Sequence, residues 1–174
     1  MSKTRYSLCC AAVATLMASS ASAHVTLENR QATIGAGYKA VFAVPHGCAG
    51  SATIKIRVQI PEGVIAVKPV PKPGWNVEAI TGKYAAAYDY QGASISEGTK
   101  EVVWSGGKLA DHHYEEFVIG TFLADGLKPN TMLYFPTVQE CEQGVSRWID
   151  IPADPAHPHD SKSPAPGVKL LPKP

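Results

Sequence analysis

The segment Thr53-Ile54-Lys55-Ile56-Arg57-Val58-Gln59-Ile60 alternates without a break, apolar at every even position and polar at every odd one. Side chains on a strand point to opposite faces in turn, so this segment buries one face and wets the other as a β-strand. Tyr38 to Val44 repeats the pattern, with Tyr38, Ala40, Phe42 and Val44 on one face. Further strands are expected at Val25 to Leu27, Val64 to Val67, Trp75 to Ile80, Glu101 to Trp104, Glu116 to Leu123, Met132 to Val138 and Arg147 to Ile151. Turn formers separate them, at Gly35-Ala36-Gly37, Gly47, Pro61-Glu62-Gly63, Pro73-Gly74, Gly106-Gly107, and Asp125-Gly126 ahead of Pro129-Asn130. After residue 23 no stretch keeps an i, i+3, i+4 apolar pattern over three turns. About seven to nine short strands with frequent turns predict an all-β sandwich or barrel with Greek-key connections.

Residues 1–23 read differently. Lys3 and Arg5 precede a short apolar run from Leu8 to Met17, and Ala21-Ser22-Ala23 is a small-residue cleavage site. This is the pattern of a secretory signal, expected as a signal-peptide helix that is removed after Ala23. Taking 23 residues from 174 leaves 151, which suits one domain with its own core. Without Lys3 and Arg5 the chain holds 14 Lys and Arg against 15 Asp and Glu, a net charge of −1. That balance gives no reason to expect nucleic acid or an anionic membrane as partner. No apolar run of 18 or more residues follows the signal, so no spanning helix is expected. Cys9 and Cys10 lie within the signal's apolar run, too early for a lipid-modified cysteine, so no membrane anchor is expected after signal removal. From Pro152 onward the composition turns to Pro, His, Ser, Asp and Lys until Val168-Lys169-Leu170-Leu171. Residues 153–174 read as an extended strap whose last apolar residues dock on the sandwich, or as free disorder.

Cleavage after Ala23 would make His24 the first residue. Its α-amine and imidazole Nδ1 could then close a chelate ring on one metal ion, an arrangement called a histidine brace. A histidine after the cut can also be chance, because signal peptidase selects the residues before it. Cys48 and Cys141 remain after processing, an even pair without CxxC spacing. In an exported chain they read as one disulfide, closing a loop of about 100 residues that stabilises by about 4–5 kcal/mol in the chain-entropy model. The alternative is a pair of thiolate metal ligands.

Of the other histidines, His112 and His113 follow Asp111 and precede Tyr114-Glu115-Glu116. On a strand their rings would point to opposite faces and would not share one ion. Asp111 and Glu116 are better partners for a distant His24, since a carboxylate offsets charge at a divalent ion. His157 and His159, flanked by Asp154 and Asp160, offer a weak second site or simply a hydrophilic strap. No GxSxG, HExxH or Gly-rich phosphate loop appears, so catalysis finds little support. Trp75 and Trp104 read as core anchors, and Trp148 as either core or the wall of a site.

An ordered set of segments then stands out. His24-Val25-Thr26-Leu27 follows the cut, and Gly47-Cys48-Ala49-Gly50-Ser51-Ala52-Thr53 comes next. Ile60-Pro61-Glu62-Gly63-Val64 leads into Lys72-Pro73-Gly74-Trp75-Asn76-Val77-Glu78. Tyr114-Glu115-Glu116-Phe117, Gln139-Glu140-Cys141 and Arg147-Trp148 complete it. Over residues 24–152 this set resembles the YcnI-like family of exported bacterial copper-binding proteins, long described as a domain of unknown function.

The resemblance implies a cupredoxin-like or immunoglobulin-like β-sandwich that binds Cu(II) through a mono-histidine brace. His24 would supply amine and imidazole, and Trp148 would lie against the metal. The family's carboxylate falls at Asp111, with Glu116 or Glu115 as substitutes and His113 as a further candidate. Cu(II) suits such tetragonal nitrogen and oxygen ligands. An α-amine titrates near about 7.7–8.0, so copper must displace a proton and affinity should fall as pH drops. No C-terminal anchor of the kind many relatives have is expected, which would imply a periplasmic or secreted form. The implied role is copper buffering or exchange with a copper transporter or periplasmic copper chaperone. Two rivals stand beside it. One is a copper-dependent oxidative enzyme of the monooxygenase type, with His112 or His113 as second histidine; the other is a metal-free partner-binding sandwich. Met132 is the sole methionine after residue 23, which argues against a methionine-rich Cu(I) site.

Overall fold

The computed structural model describes residues 24–153 and 161–173; the expected signal-peptide helix, His157 and His159 lie outside the described residues. The described chain runs through twelve strands and no helix: β1 (Thr26–Leu27), β2 (Gln31–Thr33), β3 (Gly37–Val44), β4 (Thr53–Gln59), β5 (Val64–Pro69), β6 (Asn76–Tyr90), β7 (Ala93–Leu109), β8 (Glu115–Leu123), β9 (Met132–Tyr134), β10 (Thr137–Cys141), β11 (Val145–Trp148) and β12 (Gly167–Leu171). Two sheets form an immunoglobulin-like β-sandwich, one ordered β1-β3-β8-β5 and the other β11-β10-β4-β7-β6. A third, three-stranded sheet has the order β2-β12-β9.

The alternation of the sequence is what welds these sheets together. Phe42, Val44, Phe117 and Ile119 from the first sheet share one core with Ile56, Val58, Val102, Trp104 and Trp148 from the second. Fully burying an apolar side chain of this size contributes about 1.5–3 kcal/mol, so the two inner faces hold the sandwich closed. β1 and β11 are edge strands that meet through His24 and Trp148, while β5 and β6, the opposite edges, contact each other.

Three features depart from the sequence pattern. β6 and β7 run far beyond the expected Trp75–Ile80 and Glu101–Trp104, as one long hairpin turned at Gln91 and Gly92, both with positive φ. Most of β6 is exposed, so burial imposes no alternation on it, and four residues between Lys83 and Tyr88 bulge out of the ladder. Gly106-Gly107, expected as a turn, lies inside β7; the Trp75 ring covers Gly107, where a Cβ would collide with it. The segment Met132 to Val138 divides into β9 and β10 around Phe135-Pro136, because Pro136 lacks the N–H that a continuous ladder needs.

The end of the proline-rich segment is strand. β12 pairs in parallel with β2 and antiparallel with β9, and its Val168 and Leu170 are buried in the common core. Upstream of it, the Asp150 carboxylate accepts bonds from the Ser161 hydroxyl and the Ser163 N–H. Cys48 and Cys141 form a disulfide with Cα atoms 6.0 Å apart, so neither sulfur is free to act as a thiolate ligand.

Candidate metal centre

His24 lies one residue ahead of buried Val25, just before β1, and its half-buried ring meets the Trp148 indole in a T-shaped contact. The ring centroids are 5.3 Å apart and the planes cross at 73°. Trp148 is 5% exposed, so it belongs to the core, and its ring also meets the His24 imidazole. A groove of about 280 Å³ opens beside His24, between β1, Arg30, Met132, Tyr134 and the Pro164–Gly167 segment. In the unprocessed chain His24 follows Ala23, so its backbone nitrogen is an amide and not a free amine.

Below the indole lies a buried polar network. The Trp148 Nε1–H donates to Gln139 Oε1 at 3.0 Å. Gln139 Nε2 donates to the His46 carbonyl at 2.7 Å and to Thr53 Oγ1 at 2.8 Å. The chain after His46 turns sharply: Ala49 and Gly50 both have positive φ, and Cys48 and Ser51 exchange two backbone hydrogen bonds. Gly47 is the residue that permits this closeness, since a Cβ there would collide with the Ser51 carbonyl and lie 3.1 Å from Asp111 Oδ1. The disulfide pins the same loop to the end of β10.

Asp111 sits against that loop. Its Oδ1 accepts the Gly50 N–H at 3.2 Å and its carbonyl accepts the Gly47 N–H at 3.4 Å. The carboxylate faces a hollow of about 500 Å³ shared with Ser51, His112 and Glu142. The two alternative carboxylates are committed elsewhere. Glu115 pairs with Lys72 at 2.7 Å and accepts the Glu116 N–H at 2.8 Å. Burial pushes the Glu115 carboxyl up, but those two partners outweigh it and hold it below the usual carboxylate range. Glu116 accepts the Tyr114 hydroxyl at 2.9 Å, and Tyr114 is itself pushed up, by burial first and then by Glu116.

His112 and His113 correct an expectation. They lie in a turn after β7 and not on a strand, so their side chains do not alternate, and the ring centroids are only 4.4 Å apart. Both are exposed. Among the described residues no three His, Cys, Asp or Glu side chains form a group able to hold a metal. A brace does not call for such a group, since one imidazole, one amine and one carboxylate supply its donors. The structure therefore brings His24 and Trp148 together, sets Asp111 in the turn after β7, against the Gly47–Ser51 loop and lining a hollow separate from the groove at His24, and leaves Glu115 and Glu116 with other partners.

Gln139 is the residue that sequence reasoning passed over. Thr137-Val138-Gln139-Glu140-Cys141 alternates, which puts Gln139 on the same face as the buried Cys141. A glutamine at an inward position is the signal that could have found it, because a buried amide needs partners.

A family model described as "Domain of unknown function (DUF1775)" matches residues 24–170. Among solved structures, the chain is similar to an uncharacterised protein from Nocardia farcinica whose crystal structure is described as revealing an immunoglobulin-like fold. The two share 22% identity with a TM-score of 0.60, over 85% of this chain and 98% of that one. No curated protein matches the chain significantly.

Proposed function

We propose that this chain, which belongs to the DUF1775 family, is an exported Cu(II)-binding protein that uses the N-terminus created by cleavage before His24. The observation that carries the reading is the half-buried imidazole held against Trp148, directly after the expected cleavage site. Once Ala23 is removed, the His24 amine and Nδ1 together form a chelating pair of nitrogens. Asp111 is the carboxylate assigned to the oxygen position, because Glu115 is bound to Lys72 and Glu116 to Tyr114. Two nitrogens, one oxygen and water match the tetragonal preference of Cu(II). The charge of Asp111 offsets part of that of the ion, and Trp148 keeps bulk water from one side of His24.

So few protein donors, on a half-open edge, favour exchange over permanent storage. The role is accordingly buffering, trafficking or delivery of copper to a transporter or periplasmic chaperone, without catalysis. Copper EPR on the protein that begins at His24 tests the reading, with His24→Ala and Asp111→Ala beside it. Loss of the protein-bound signal in His24→Ala and an altered spectrum in Asp111→Ala are expected. An unchanged signal in His24→Ala contradicts the reading; an unchanged one in Asp111→Ala alone moves the oxygen ligand elsewhere.

A further inference from the structure

Gln139 is the largest polar side chain buried among the described residues, at 1% exposure. Its amide has no freedom to turn over. The indole N–H of Trp148 can only donate, and the His46 carbonyl can only accept, so Oε1 must face the first and Nε2 the second. The second hydrogen on Nε2 goes to Thr53 Oγ1. Thr53 then turns its own hydrogen toward Cys141 Sγ at 3.7 Å, because a disulfide sulfur has none to give. A continuous chain of bonds thus runs from the indole beside His24 to the disulfide. Packing confines the Trp148 ring, and the bond to Gln139 adds a directional restraint on its indole N–H. The same amide holds the His46 carbonyl, and so ties the Gly47–Ser51 loop, whose Gly50 N–H bonds Asp111, to the same anchor.

We propose that Gln139 is a positioning residue for the metal centre: it fixes the Trp148 indole, and through it the His24 imidazole, before any ion arrives. The functional weight of this inference rests on the copper reading of His24, but its geometric content does not. Metal ligands are commonly oriented by such outer partners, whose removal weakens binding by about 10- to 100-fold.

The test uses the protein beginning at His24, first without metal. The Trp148 ring current shifts the His24 ring protons, and a Trp148→Leu variant, which has no aromatic ring, sets the unshifted reference. Gln139→Met removes all three bonds at similar volume, and is expected to move the His24 resonances most of the way to that reference. Gln139→Glu keeps the acceptor for Trp148 and is expected to restore most of the shift; it also serves if Gln139→Met does not fold. With copper, Gln139→Met should bind about 10-fold or more weakly, and adding it to Trp148→Leu should cost nothing further, since coupled residues are not additive. His24 resonances that stay unshifted from wild type in Gln139→Met overturn the proposal. So do His24 resonances in Gln139→Glu that coincide with those of Trp148→Leu, and so do fully additive losses. If the wild type binds no copper, the functional reading fails, while the metal-free resonances still decide the role of Gln139.

Discussion

The two edges of the sandwich are held by opposite means. At the edge of β1 and β11, short strands meet over a buried, uncharged network of Trp148, Gln139, Thr53 and the His46 carbonyl, backed by the disulfide. At the edge of β5 and β6, the long hairpin is stitched down by Glu62. Its carboxylate pairs with Lys100 and accepts the Tyr88 hydroxyl at 2.9 Å and the Ala85 N–H at 3.2 Å. Tyr84 stacks edge-on against Tyr88, and Tyr90 against Phe122. Lys100 above all holds the Glu62 carboxyl below the usual range, despite some opposing burial. The lesson lies in the contrast. Exposed ion pairs shape a surface arm and tolerate change, whereas a fully satisfied buried network specifies one geometry and loses it when a member is removed. The second device suits a metal ligand that has to be aimed in advance.

Breaking the disulfide should mark the contrast most strongly. The Cys48→Ala/Cys141→Ala double variant is expected to lose about 2–5 kcal/mol in urea unfolding, with copper affinity falling alongside. Tyr38→Phe acts on the same side at smaller scale. The Tyr38 hydroxyl donates to the Asn29 carbonyl at 2.7 Å, which holds the chain between β1 and β2, and its loss should cost about 1 kcal/mol. Burial pushes the Tyr38 hydroxyl up to about 12 from 10.0. The folded state therefore keeps a proton that the unfolded state releases, so stability should decline as pH rises from about 10 to about 12. Unfolding midpoints across that range should decline less in Tyr38→Phe.

Glu62→Gln probes the other edge and should have the smallest effect, at most about 1 kcal/mol, because the Glu62–Lys100 pair is partly exposed. Its folded carboxyl lies below the ordinary value of 4.5, so its contribution is present at neutral pH and fades on acidification. Thermal melts at neutral and acidic pH should thus differ less in the variant than in the wild type. Copper affinity should be unchanged, in contrast to the disulfide variant.

Legibility of the sequence followed burial. β3, β4 and β8 were readable to within a residue or two, since each alternates between a face in the core and a more open one over most of its length. β6 and the outer part of β7 were not, because exposed arms impose no alternation on their residues. β2 and β12 escaped notice because three to five residues between prolines and polar residues carry too little pattern, although Val168 and Leu170 did mark a docking point. The cysteine pair was legible from compartment chemistry. His24 and Trp148 were named from sequence, but their contact depends on which strands end the two sheets, and strand order is not written in any local pattern. His112 and His113 do lead, exposed, into β8, but their rings do not take opposite faces because Asp111-His112 forms a turn.

The central claim is that copper binding depends on the amine released at His24. The most direct measurement is a copper titration of the protein beginning at His24, beside a version with one extra residue in front of it. The extension leaves every side chain in place and converts only the amine to an amide. Much weaker binding by the extended protein is expected, with loss of the amine nitrogen from its EPR coupling pattern. Equal affinity in the two proteins would contradict the account.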